Sequence, residues 1–300
     1  MPTIRLGKGA QFSDNTGSAG SPAWRNNKWV RDITRNEEPG GVIDATDRFV
    51  DYQLSLATRY KLSYDVDGIW HGNTSQVVFR TAFLAGTTTV DVGVFDRVSV
   101  VTSASNGLGH RGDMFVKKFS LEFPLNGEQK LSITCVPYAN YTTAIVGYTD
   151  ITTVLGTADS PGTRKIGKNA SINNASDTPL TGIRDWKMSM EWNTVNAGNR
   201  VSDFDMELPT QMNIVIEADF AWDASDTTLA AIRTAYYAHT QLTDYTFLDG
   251  AFATSGSWGL NADVEVTKLA WKGELKGLQL YSVTMVPRSN YTTAPAFITI

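Results

Sequence analysis

Val136-Pro137-Tyr138-Ala139-Asn140-Tyr141-Thr142-Thr143-Ala144 returns late in the chain as Val286-Pro287-Arg288-Ser289-Asn290-Tyr291-Thr292-Thr293-Ala294. Self-similarity at a fixed period decides an architecture before any motif does. Working back from that pair, Phe79-Arg80-Thr81-Ala82-Phe83 lies over Ile232-Arg233-Thr234-Ala235-Tyr236, and Asp91 and Asp96 are followed in register by Asp244 and Asp249. Tyr60–Trp70 lies over Met212–Trp222, and Arg5-Leu6-Gly7-Lys8 over Lys165-Ile166-Gly167-Lys168. These matches keep their order, and the offset between them drifts by only a few residues, as loop insertions would produce. The chain reads as two copies of one domain: copy 1 over 1–145 with an N-terminal arm at 1–22, a Thr/Gly/Ser-rich linker at 146–162, and copy 2 over 163–300.

Composition narrows the function classes. A chain of 300 residues with 42% hydrophobic and 19% charged residues is expected to fold rather than stay disordered. No apolar run approaches the ~18–20 residues that cross a bilayer as a helix, and Met1–Ala10 carries Arg5 and Lys8 with no apolar block behind them, so neither membrane span nor signal peptide is expected. The single cysteine, Cys135, fits synthesis in a reducing cytoplasm. A net charge of −5 argues against a protein that grips nucleic acid, and three histidines leave little for a metal site.

Each copy reads as strands, one helix, then strands. Trp186, Met188, Met190 and Trp192 alternate with Lys187, Ser189 and Glu191, the period of a half-buried strand. Asn73 or Thr74 caps a helix that packs Phe79 and Phe83 and stops at Gly86; Asp226 or Thr227 caps its counterpart, which runs to about Ala238. Two long strands close each copy, near Met114–Phe123 and Lys130–Val136, then Ala262–Lys272 and Leu278–Val286. The expected fold is mainly β: two tandem sandwich or small-barrel domains, each flanked by one α-helix.

Most catalytic-looking strings fail on context. Gly107-Leu108-Gly109-His110-Arg111-Gly112 spells a dinucleotide fingerprint, but Met114-Phe115-Val116 continues as strand where a helix is needed. It reads as a glycine-rich hairpin loop, and copy 2 keeps one glycine of it. Arg111-Gly112-Asp113 is too short to count, and Asn140-Tyr141-Thr142 and Asn290-Tyr291-Thr292 read as a repeated turn rather than as glycosylation acceptors. The carboxylate pairs Asp65/Asp67 and Glu217/Asp219 fit acid–base chemistry on a glycoside or, as the favoured reading, a solvated strand face. No His, Cys or Ser–His pair recurs in both copies. No catalytic residue, metal or cofactor is expected.

The element order then becomes recognisable in Trp186–Trp192, Asp226–Ala238, Tyr245–Gly250, Leu260–Lys272 and Thr293-Ala294-Pro295-Ala296-Phe297. It resembles the tail tube (major tail) protein of long-tailed bacteriophages, with the departure that most members carry one tube domain per chain. The resemblance implies a structural virion protein assembled in the bacterial cytoplasm, whose rings stack into a conduit through which genome DNA passes without specific binding. Its partners would be further copies of itself and other tail proteins, with no membrane. Usual rings hold six subunits, so three two-copy chains would fill one ring. A tandem carbohydrate-binding module and a carboxylate-based hydrolase are the alternatives.

Two groups of residues follow as candidates. Ring-stacking loops are expected at Thr34–Arg48, with Glu37, Glu38, Asp44 and Asp47, and at the shorter Asn193–Ser202, with Asn193, Asn196 and Arg200; the N-terminal arm is expected to order on assembly. Residues 201–250 hold Arg233 alone against nine acids, and a conduit that repels phosphate would place Asp203, Asp205, Glu207, Glu217 and Asp219 toward its lumen.

Overall fold

A computed structural model describes residues 4–5, 11–17, 23–44, 55–98, 105–143, 146–153, 163–197, 205–221, 227–272 and 279–300. In chain order the elements are β1 (Ile4–Arg5), β2 (Gln11–Asn15), β3 (Trp24–Asn26), β4 (Val30–Asp44), β5 (Ser55–Ile69), α1 (Thr74–Ala85), β6 (Val90–Val98), β7 (Ser105–Pro124), β8 (Lys130–Pro137) and β9 (Val146–Thr153). Then follow β10 (Ser171–Asn173), β11 (Ile183–Asn196), β12 (Glu207–Ala221), α2 (Thr227–Ala238), β13 (Gln241–Leu248), β14 (Trp258–Lys272), β15 (Leu280–Pro287) and β16 (Ala296–Thr299). The protein is mainly β, and its named strand ladders are antiparallel.

The chain forms two compact units whose segments interleave. Unit 1 holds Met1–Phe119, Ser132–Gly162 and Glu191–Met212; unit 2 holds Ser120–Leu131, Thr163–Met190 and Asn213–Ile300. The β11–β12 end thus belongs to unit 1, and the β7–β8 end to unit 2.

In unit 1 the strands run β1-β4-β5-β8-β7-β11-β12, with β6 on β7, β2 on β6, and β3 on β2. The helix enters the core through a polar latch. Asn73 accepts the Gln76 N–H at 3.1 Å, while the buried Gln76 side chain accepts from His71 and Gly72 and donates to the Ile69 carbonyl at 2.6 Å. The helix stops at Gly86, whose φ of 66° only glycine adopts freely. Phe79 packs 5.3 Å from Phe12 and 6.1 Å from Trp29, and the Trp29 indole donates to Ser75 at 3.0 Å. Burying each such ring is worth about 2 kcal/mol. The incoming hairpin end adds Trp192, which stands 6.3 Å from Phe83 and donates its indole N–H to the Phe83 carbonyl at 2.8 Å.

In unit 2 the strands run β8-β7-β11-β12-β15-β14-β13-β10, with β16 on β14. Ile216, Ala218 and Phe220 of β12 point inward, as do Val264 and Val266 of β14 and Val283 and Met285 of β15; α2 packs Leu229 and Ile232 onto this core. The borrowed β7–β8 end is built in deeply. Phe123 stacks on Trp186 at 4.0 Å, Leu125 N–H donates to Asp185 at 2.8 Å, and the Gln129 amide donates to the Asp249 carbonyl at 2.7 Å.

Three expectations change on the structure. Thr34–Asp44 of the expected Thr34–Arg48 loop is strand: β4 continues to Asp44, so Glu37, Glu38 and Asp44 are strand residues, while 45–48, with Asp47, lie outside the described residues. Glu37-Glu38-Pro39-Gly40-Gly41 is the centre of that expected loop, yet the register shifts at Pro39/Gly41 and Gly41/Val42 absorb it as bulges within the β4–β5 ladder. Asn193 and Asn196 likewise sit on β11, and Arg200 and Asp203 lie outside the described residues. The Gly107–Gly112 stretch is strand as well, because Gly109 must pass the β6 backbone: a Cβ there would sit 1.9 Å from the Val94 carbonyl oxygen. Its copy-2 match Gly259 does the same beside the Phe247 carbonyl, at 1.7 Å, which is why that one glycine recurs. Finally, part of the N-terminal arm is core: β2 is buried, with Phe12 under the helix.

Candidate functional site

The strand faces opposite the cores carry polar residues at matching positions of the repeated sequence. On β12, Glu217 is exposed and Asp219 half-buried. The antiparallel register sets Glu217 beside Thr284 of β15 and Thr284 beside Lys268 of β14, so acid, hydroxyl and ammonium stand in one row across three strands. One row over, Asp219 faces Ser282, whose hydroxyl it accepts, and Ser282 faces Ala270. The borrowed hairpin end extends this face: Lys130 lies 3.2 Å and Lys187 3.9 Å from Glu122. Together these residues border an open cavity of about 560 Å³ in unit 2.

Unit 1 repeats the arrangement. Asp65 of β5 accepts from the Thr134 hydroxyl at 2.6 Å and from the Asn36 amide at 2.8 Å, and Thr134 and Lys118 line a cavity of about 410 Å³. Thr134 and Lys118 occupy the repeat positions of Thr284 and Lys268, and Asp65 that of Glu217. Glu207 joins this face from the incoming hairpin end, held by Lys117 at 2.8 Å and by the Thr194 hydroxyl. Asp205 does something else: its N–H donates to the Tyr60 carbonyl at 2.8 Å, tying the same hairpin end to β5. Of the acidic lumen candidates, then, Glu217 and Asp219 share one face of unit 2, Glu207 lies on the corresponding face of unit 1, and Asp205 acts through its backbone.

Chemically these faces suit water and ions better than a reaction. Asp65 is held by a hydroxyl and an amide and Asp219 by a hydroxyl, and the Glu217 row ends on the Lys268 ammonium. Among the described residues no group of three His, Cys, Asp or Glu side chains could hold a metal ion. Cys135 lies beneath the unit 1 face; burial pushes its thiol far up, and the nearby Asp65 charge pushes it the same way. It stays a protonated, unreactive thiol.

One repeated constellation escaped the sequence reading. Asp113 of β7 accepts the backbone N–H groups of Thr142 and Thr143 at 2.6 and 2.8 Å; Asp263 of β14 accepts those of Thr292 and Thr293 at 2.6 and 3.0 Å. Each buried carboxylate thus folds the repeated Asn-Tyr-Thr-Thr segment back onto the sheet, which explains why that string recurs. Asp263 also accepts the Asp244 N–H at 2.8 Å. Burial alone would raise the Asp263 carboxyl, but the N–H groups of Thr293, Asp244 and Thr292 and the Thr293 hydroxyl outweigh it and hold the group below its ordinary value. Arg111 of the Arg-Gly-Asp string pairs with Asp91 at 3.0 Å, so that tripeptide is a strand segment with both charges engaged.

No protein-family model matches the sequence, and no curated protein does. Among solved structures, a chain from the virion of a native gene transfer agent particle is 15% identical with a TM-score of 0.36, the match covering 44% of this chain and 97% of that one. A chain from the tail of an empty gene transfer agent particle, refined with C6 symmetry, is 16% identical with a TM-score of 0.35 and the same coverage.

Proposed function

We propose that the chain is a structural virion protein, the tube subunit of a phage-type tail, which assembles into rings that stack around a DNA conduit. The observation that carries this reading is the polar sheet face present twice in one chain, with Asp65, Thr134 and Lys118 in unit 1 matching Glu217, Thr284 and Lys268 in unit 2. A catalyst concentrates its chemistry in one enclosed place, whereas a polymer presents equivalent surfaces at regular intervals. The resemblance in element order points the same way.

Each chain supplies two equivalent positions, so three chains fill a ring of six. Glu217, Asp219 and Glu207 face the lumen, where carboxylates repel phosphate and let the genome slide; the far ends of β4 and β11, with Glu37, Glu38, Asn193 and Asn196, meet neighbouring rings. The particle assembles in the host cytoplasm, and the tube ends meet other tail proteins. Negative-stain microscopy of purified protein, with native mass spectrometry of its assemblies, tests the reading. Rings of three chains that stack into tubes are expected. Single chains at every concentration would remove the tube reading, and rings of six chains would remove the count of three.

A further inference from the structure

The repeat allows the same place to be compared in both copies. The β7–β8 hairpin of copy 1 carries Phe119, Leu121 and Leu131, none more than 1% exposed. At the offset that sets Lys118 on Lys268, their matches on β14 and β15 are Leu269, Trp271 and Tyr281. Trp271 is 62% exposed, and Leu269 and Tyr281 are half-buried. Trp271 and Tyr281 stand opposite each other in the β14–β15 ladder.

The difference lies in what covers the two hairpins. Copy 1's hairpin has β11 of copy 2 along the second edge of β7, with the Ser120 and Ser189 hydroxyls 3.1 Å apart and Phe123 stacked on Trp186. On β14 the ladder with β13 ends at Glu265. From Val266 to Lys272, β14 pairs with β15 on one side and with no other strand among the described residues. An exposed tryptophan beside an unpaired strand edge is a surface that proteins seldom leave bare.

The matching half of such a junction is also present. β4 is the copy-1 counterpart of β11. One edge of β4 pairs with β5, and among the described residues the other pairs with β1 alone, at Ile4–Arg35 and Arg5–Thr34. The chain therefore carries one completed junction, β11 on β7, and the two separate halves of a second.

We propose that the β14 edge of one chain receives β4 of a second copy, antiparallel, as β11 lies on β7, and that Trp271 and Tyr281 are buried under the incoming hairpin. The two halves are different surfaces, so the contact is head-to-tail and generates a closed ring or a growing filament according to the rotation per chain. The short strand β1 then acts as a placeholder that blunts the β4 edge until the neighbour arrives. The seam deepens the tube-subunit reading by naming its lateral contact, yet it follows from the repeat and holds for any head-to-tail assembly.

Sedimentation velocity over a concentration series of full-length wild type and Trp271→Asp, with circular dichroism to confirm the fold, tests it. Wild type is expected to associate, and Trp271→Asp to require at least about tenfold higher concentration. Trp271→Arg serves as a second variant of opposite charge and should behave alike. Wild type that stays a single chain throughout, or variants that associate like wild type, would overturn the seam. Tubes that persist in both variants would overturn the seam and leave the tube reading standing. Trp271-dependent oligomers that never stack would support the seam and count against the tube.

Discussion

Replacing Asp263 by alanine removes the acceptor for three backbone N–H groups, on Asp244, Thr292 and Thr293, bonded at 2.8, 2.6 and 3.0 Å. A hydrogen bond to a charged group contributes about 1.5–3 kcal/mol, and a buried donor left without a partner costs a similar amount. Thr292 is exposed and Thr293 half-buried, so water can reach them once the turn opens; Asp244 is half-buried within the β13–β14 ladder. Taking the lower end for the two turn residues and the middle for Asp244 gives a loss of about 5 kcal/mol, more than a thousandfold in the folding equilibrium. The pH dependence has a definite sign. The folded carboxyl lies below its ordinary value of 3.8, so its charge-dependent contribution is present above that value and disappears as pH falls through the folded pKa. Urea unfolding followed by tryptophan fluorescence at pH 7 and at pH 3, with amide exchange at Thr292 and Thr293, measures both effects. The gap between wild type and Asp263→Ala should be large at pH 7 and smaller at pH 3. Equal stability at pH 7, or a gap that ignores pH, would refute the role given to this carboxylate.

Asp113→Ala, acting on the corresponding turn of unit 1, should be destabilising by a comparable amount in the same assay. Trp192→Ala removes the indole that packs on Phe83 and bonds its carbonyl, and is expected to cost about 2–3 kcal/mol, read by urea unfolding. Gly259→Ala should prevent recovery of folded, soluble protein, because its Cβ would collide with the Phe247 carbonyl; Gly256→Ala, in open space at a φ of +85°, should cost only about 1 kcal/mol. Cys135 should not react with a thiol reagent at pH 8 until denaturant is added, since burial keeps it protonated and out of reach.

What could be read from the sequence is what local patterning determines. Asn73 and Gly86 bracket α1 through short-range capping, and Trp186-Lys187-Met188-Ser189-Met190 shows its buried face by alternation alone. The repeated strings were visible because turn and core residues recur at a steady offset. Edge choice was not: nothing local to Phe123 or Trp192 says that each packs in the core formed mainly by the other copy. The Glu-Glu-Pro-Gly-Gly segment misled because bulges and turns call for the same residues, and only the partner strand distinguishes them. Asp113 was hidden within a tripeptide with a familiar spelling, although its constant spacing from Asn140-Tyr141-Thr142-Thr143, repeated from Asp263 to Asn290-Tyr291-Thr292-Thr293, was the available signal. On the polar faces, Glu217 and Asp219 could be named as acids from sequence, but their rows with Thr284, Lys268 and Ser282 depend on register.

The exchanged hairpin ends also set a timetable for synthesis. Unit 1 is incomplete when β8 leaves the ribosome, because Glu191–Met212 has not been made; at about 5–20 residues per second that delay lasts roughly 4–15 s. During this interval Phe83 lacks Trp192, and the Phe123 end of the first hairpin has no Trp186 to stack on. Contacts this distant along the chain form slowly and leave apolar edges open in the meantime. Unit 1 therefore cannot finish folding until residue 212 has been made, and a chaperone that shelters the nascent first half of the chain would act within that window.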